Sequence, residues 1–239
     1  MILMMNEIIF ILQTLMGLFI VLFAFRLGES WVYATIGIFI VLANIFVTKT
    51  ITLFGFEATG GNVLYGAIFL STDLLSEHYG KESARKGVLI GFMAAFIFLI
   101  MSQFITAYTA SSSDWGASAA MDTLFGLSPS IVIASLAAYL ASQLHDVWAF
   151  TLWKKRFDGK YLWLRNNLST IVSQFIDTII FCFLAFVILP PIISSNGEIF
   201  PMDILLDIII TTFVLKVMVA LLDTPFIYLS HYFKPKELQ

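Results

Sequence analysis

Seven long apolar stretches alternate with short polar ones along the chain, at roughly residues 5–26, 30–48, 62–80, 86–107, 128–151, 168–189 and 203–230. A bilayer core about 30 Å thick takes about 20 mostly apolar residues per helical span, and each stretch is of that order. Helix is the expected conformation, because a backbone facing lipid must satisfy its own hydrogen bonds. A barrel would need strands alternating between apolar and polar positions, a pattern absent here. The sequence therefore predicts an all-α integral membrane protein, a polytopic bundle of about seven transmembrane helices. The first stretch lacks the basic segment that opens a signal peptide, since Asn6 and Glu7 are its only early polar residues, and it counts as a span. The spans use most of the 239 residues, leaving one transmembrane domain over 1–239 and no soluble one.

Two connections are long. Residues 49–61 are apolar and glycine-containing, which suits either a re-entrant segment lining a cavity or an ordinary surface loop. Residues 108–127 are rich in Ser, Ala and Asp and read as an exposed connection.

Charge then orients the bundle. Eleven of the 13 Lys and Arg fall in segments that seven spans place on one side: Arg26, Lys81, Arg85, Lys86, Lys154, Lys155, Arg156, Lys160, Arg165, Lys234 and Lys236. Lys49 is alone on the other side, and Lys216 lies inside the last span. The positive-inside rule puts the C-terminus in the cytoplasm and the N-terminus outside. A six-span version, dropping one stretch, spoils this alternation. The composition agrees, with 59% hydrophobic and only 12% charged residues. A net charge of −3 lacks the basic excess of a nucleic-acid binder. One cysteine, Cys182, excludes a disulfide framework, and three scattered histidines argue against a metal centre.

An ionisable side chain at the centre of a transmembrane helix costs at least about 2.5–3.5 kcal/mol, so each one is a candidate functional group. Asp73 and Glu77 are four residues apart and share a helix face. Glu77 could equally be a solvated anchor at the interface, near Lys81. Asp146, Asp177, Lys216 and Asp223 lie in the later spans, with Gln174 close to Asp177. At 1.5 Å per residue, Asp177 and Lys216 come out roughly 13–14 Å and 20 Å from the cytoplasmic edge. The two opposite charges are open to two compatible readings, a structural ion pair or the lining of a substrate cavity. An inner half rich in carboxylates suits a cation, a proton relay or a neutral molecule with several N–H donors.

The run from Ala43 and Asn44 to Lys49, then Thr72-Asp73-Leu74-Leu75-Ser76-Glu77-His78-Tyr79-Gly80-Lys81 and Ala84-Arg85, resembles the queuosine precursor transporters. These are a branch of the bacterial and archaeal vitamin and precursor uptake proteins. Leu162-Trp163-Leu164-Arg165-Asn166, Ser169-Thr170 and Ser173-Gln174-Phe175-Ile176-Asp177-Thr178 form a second matching block. Lys216 with Leu222-Asp223-Thr224-Pro225 forms a third, so the resemblance spans roughly 40–230. Residues 110–121 and the first helix match no motif of the family.

The resemblance implies a multi-pass protein of the cell (inner or plasma) membrane that imports 7-deazaguanine bases for tRNA modification. Its cargo would be 7-cyano-7-deazaguanine, 7-aminomethyl-7-deazaguanine or queuine. A carboxylate such as Asp177 or Asp73 accepts from the guanine-like N–H edge, and Lys216, Gln174 or Arg165 donates to its carbonyl. No cofactor or metal is implied. The chain has no phosphate-cradling glycine loop, so ATP-driven uptake would need a separate ATPase partner, as in energy-coupled vitamin importers. Proton symport and trapping of the cargo inside the cell are the alternatives. A homo-oligomer is compatible with the sequence. An intramembrane enzyme would need a nucleophile and base converging near mid-membrane, and His78 and His145 both lie near span ends.

Overall fold

The computed structural model describes residues 2–126, 129–193 and 201–238. In chain order the elements are α1 (Ile2–Leu27), α2 (Glu29–Phe46), β1 (Thr50–Leu53), β2 (Phe56–Thr59), α3 (Asn62–His78), α4 (Lys81–Thr106) and α5 (Ala117–Phe125). Then come α6 (Pro129–Arg156), α7 (Leu162–Phe183) with a wide turn at Leu184–Ile188, α8 (Pro190–Ile193), α9 (Met202–Ser230) and a final tight turn (Lys236–Leu238).

All seven expected stretches are helical. Among the described residues six helices, α1, α2, α4, α6, α7 with its wide turn, and α9, are long and apolar enough to cross a membrane. The element expected at 62–80 is α3, which has 17 residues and, at 1.5 Å per residue, is about 25 Å long. It is the innermost helix, with an unbroken buried run from Val63 to Ser76 except Tyr65. The other helices surround it with apolar side chains turned outward, among them Phe19, Phe23, Met93, Ile97, Phe104 and Ile210. Such a ring of outward hydrophobics is what a lipid-facing surface requires.

Close packing comes from small residues. A Cβ at Gly87 would lie 2.8 Å from Leu75 and 3.1 Å from Ile36, and one at Gly91 would collide with the Tyr139 hydroxyl. Gly91 thus lets α4 approach α6 and fixes Tyr139 between them. Gly66 plays the same part for α3 against Val219 of α9.

The connection 49–61 is a β-hairpin. Thr50 pairs with Thr59 and Leu53 with Phe56, around a two-residue turn in which Phe54 (φ 52°) and Gly55 (φ 85°) are both left-handed. That is the turn whose twist suits a hairpin. Leu53 and Ala58 are buried with Phe10 of α1, Val63 of α3, and Leu215 and Val219 of α9. Glu7 accepts from the Phe54 amide at 2.8 Å, and Asn6 donates to the Thr52 carbonyl at 3.1 Å. The connection expected at 108–127 is largely exposed over its described residues 108–126, but it carries α5, none of whose residues is buried.

At the opposite end the C-terminal turn closes over the α1–α2 corner. Glu237 accepts from the Tyr79 hydroxyl and, at 3.0 Å, from the Glu29 amide. These two donors hold its carboxyl below the usual carboxylate range.

Candidate functional site

The buried polar residues gather on α3, α6, α7 and α9 in three layers, met in the same spatial order along each helix. α7 supplies the clearest stripe: Arg165, Asn166, Ser169, Thr170, Ser173, Gln174, Asp177 and Thr178 recur at helical spacing, and all are buried. In water such a face would look outward. Here lipid takes the apolar face and the polar one turns into the bundle.

The first layer is the floor of a cavity of about 380 Å³, within the range of small-molecule sites. The hairpin contributes Glu57 and Thr59 to its wall, so residues 49–61 do line a cavity. Asp177 and Lys216 face each other there as a buried ion pair, with Ser142 donating to the second Asp177 oxygen at 3.1 Å. The Lys216 ammonium also sits 4.6 Å over the Tyr65 ring. Asn44, Asn62, Tyr65 and Tyr139 complete a lining otherwise dominated by aliphatic and phenylalanine side chains. Of these, the sequence pattern points to Asn44, Asp177 and Lys216 but not to Glu57, Asn62 or either tyrosine. Asn62 and Tyr65 were detectable as the polar positions opening α3 on the face that later carries Asp73.

About 10 Å further along, seven residues from Asp177 on α7 and from Lys216 on α9, lies the second layer. It holds Asp73, Asp146 and Asp223, each 0% exposed and facing one another. Asn166 donates to Asp223 at 2.9 Å, and Thr170 donates to Asp73 at 3.4 Å. Gln174 is buried on the same helix face between the two layers.

The third layer seals the end that carries the basic segments. Glu77 receives both Arg165 guanidinium nitrogens, at 2.6 and 2.8 Å, a two-pronged charge-assisted contact. Lys154 reaches the same carboxylate at 3.0 Å and the Glu77 carbonyl at 2.6 Å. Arg165 is 1% exposed and lies against the Phe150 ring. His78 bonds Ser230 at 2.7 Å, tying α3 to the end of α9. Glu77 is therefore neither solvated nor paired with Lys81, and Arg165 is occupied away from the cavity. Lys154 and Arg165 do more than set topology. Lys49 lines a separate cleft beside Asn6 and Gln13 of α1.

The resulting arrangement is a cavity walled in part by the hairpin, with two further polar layers beyond its floor. It can hold a flat small molecule against tyrosine rings while a carboxylate and an ammonium face its edge. Among the described residues no cluster of His, Cys, Asp and Glu has the disposition of a metal site.

The family described as "Putative vitamin uptake transporter" matches residues 59–230, which include nearly the whole of the three layers. A Bacillus subtilis protein named "Probable queuosine precursor transporter" is 37% identical over 219 residues, 91% of each chain. The Escherichia coli "Queuosine precursor transporter" is 30% identical over 146 residues, 60% of this chain and 62% of its own. A Haemophilus influenzae protein named "Probable queuosine precursor transporter" is 35% identical over 134 residues, 56% of this chain and 54% of its own. No solved structure matches the chain.

Proposed function

Because the chain belongs to the vitamin uptake transporter family, multi-pass membrane transporters rather than enzymes, we propose that its cargo is a 7-deazaguanine precursor of queuosine. The observation that carries this reading is the Asp177–Lys216 pair on the floor of the cavity. A guanine-like edge presents, in order, an exocyclic amine, a ring N–H and a carbonyl. A carboxylate beside an ammonium is the complement of that edge: Asp177 accepts from the two donors and Lys216 donates to the carbonyl. The ring plane lies against Tyr65 or Tyr139, and Asn44 and Asn62 supply further polar contacts at the periphery. A site built to bond an edge in this way rejects analogues lacking it, because its own buried groups are then left unpaired.

Competition binding to the purified protein tests the assignment. 7-Cyano-7-deazaguanine, 7-aminomethyl-7-deazaguanine and queuine should displace one another, while a 7-deazapurine without the exocyclic amine should compete at least about tenfold more weakly, the loss of one charge-assisted hydrogen bond. Equal competition by the amine-free analogue, or binding of none of the three, would rule the reading out.

For topology we favour seven membrane-embedded helices, with α3 as the buried seventh, the N-terminus outside and the C-terminus in the cytoplasm. The grouping of Lys154, Arg165 and Lys234 at the end opposite the hairpin supports this orientation. The cavity, walled by the hairpin, then lies nearer the outer side. With Cys182 replaced by Ser, Asp114→Cys should react with an impermeant thiol reagent on intact cells, and Lys160→Cys only after lysis. The reverse pattern would invert the topology.

A further inference from the structure

The layer between the cavity and the sealed end is starved of hydrogen-bond donors. Asp73 Oδ1, both Asp146 carboxylate oxygens, Asp223 Oδ2 and Asn166 Oδ1 are buried acceptors without a well-formed hydrogen bond from a described residue, although the hydroxyls of Ser169, Thr170 and Ser173 lie near Asp146. Asn166 is an independent sign of this. Its amide nitrogen already serves Asp223, so its side chain is aimed into the layer, yet its oxygen has no donor.

The neighbouring hydroxyls near Asp146 cannot satisfy every acceptor at once. Each has one proton, and each is committed: Ser169 to the Asn166 carbonyl at 3.0 Å, Ser173 to the Ser169 carbonyl at 2.7 Å, and Thr170 to Asp73. His145, beside Asp146 on α6, turns to Ser173 at 2.9 Å. Among the described residues no cationic side chain reaches the layer either. Lys216 is engaged by Asp177, and Arg165 and Lys154 are engaged by Glu77. Three carboxylates from α3, α6 and α9 thus face the amide and hydroxyls of α7 with no positive charge among them. Leaving buried acceptors unsatisfied is expensive, and leaving several buried like charges is more so. Among the described residues no group of three His, Cys, Asp or Glu side chains has the disposition of a metal site.

We propose that Asp73, Asp146 and Asp223 form a proton-binding site that couples cargo movement to a proton gradient. A proton bound by one carboxylate removes a charge and creates the missing O–H donor, which another acceptor of the layer takes up. The position fits such coupling: the site lies about 10 Å beyond the cargo-binding pair and short of the Glu77–Arg165 seal. A proton from the cavity side adds to a carboxylate oxygen while the far end is closed. When Glu77 and Arg165 separate, the O–H bond breaks and the same proton leaves to the other side. Nothing else is consumed. The identity of the cargo rests on the function proposed above; the proton site does not.

Two measurements test this. The first needs no cargo: the infrared spectrum of the purified full chain near neutral pH should contain a protonated-carboxyl carbonyl band, diminished in Asp146→Asn. The second uses protein in liposomes with 7-cyano-7-deazaguanine, which is neutral. With no membrane potential, a gradient of one pH unit, alkaline inside, should concentrate the cargo about tenfold for one proton carried per molecule. Asp146→Asn should retain cargo counterflow, showing that it is folded, and lose the accumulation. Absence of the infrared band, equal cargo concentrations across the gradient, or accumulation driven by sodium instead would overturn the proposal. If the wild type moves no deazaguanine but keeps a band that Asp146→Asn loses, the cargo assignment fails and the proton site stands.

Discussion

The double variant Asp177→Asn/Lys216→Met is expected to fold nearly as well as the parent and to lose about 100-fold or more of its precursor uptake. The stability expectation follows from desolvation. Both groups of the pair are all but fully buried, and removing one partner alone strands a charge at about 3–5 kcal/mol. Lys216→Met by itself should therefore be less stable than the double variant. Replacing both groups removes the penalty together with the attraction, a trade that is often neutral. The uptake expectation follows from the cargo edge. Two N–H bonds to a carboxylate at about 1.5–3 kcal/mol each, reduced to contacts with a neutral amide, account for a loss of that order. Thermal unfolding in detergent and initial uptake rates in liposomes separate the two effects. Were the double variant both stable and fully active, the pair would be an internal strut and the cargo would bind elsewhere.

Arg165→Met is expected to be the most damaging single change at the sealed end, again at about 3–5 kcal/mol of stability. Glu77 would keep Lys154, but that side chain is more exposed and binds as a point charge. Arg165→Lys should recover only part of the loss, because an ammonium cannot reproduce the two parallel contacts that close α7 against α3. The functional consequence should appear as access. In a Cys182→Ser background, Ser169→Cys should be inert to a water-soluble thiol reagent in the parent and should react when Glu77→Gln is added. Identical reactivity with and without Glu77→Gln would show that the ion-pair layer does not seal the bundle.

Several elements of this picture were legible in the residue pattern, and others carried a signal that went unread. The hairpin is an instance of the second kind. Thr50-Ile51-Thr52-Leu53 and Phe56-Glu57-Ala58-Thr59 alternate about a Phe-Gly pair, a strand pattern hidden by the surrounding apolar helices. The stripe on α7 is another: its eight polar residues keep a helical period from Arg165 to Thr178, which marks a face turned away from lipid. By contrast, nothing local marks Arg165 as the partner of Glu77. The two are 88 residues apart, and the cluster Lys154–Arg165 looks like any basic cytoplasmic loop until α6 is seen to run on to Arg156 and α7 to begin at Leu162.

The sequence by itself determined which segments form the long helices, because the bilayer demands long apolar runs one segment at a time, but not that α3 lies inside the others and away from lipid. It also identified the costly residues, Asp73, Glu77, Asp146, Asp177, Lys216 and Asp223, because the penalty for a buried charge depends on residue type and depth alone. How those charges are compensated was decided only in three dimensions. Pairing depends on the rotation and relative height of helices distant in sequence, and a shift of one residue turns a side chain by about 100°. Packing set Asp177 against Lys216, Glu77 against Arg165, and Asp73, Asp146 and Asp223 against one another with no cationic side chain from the described residues.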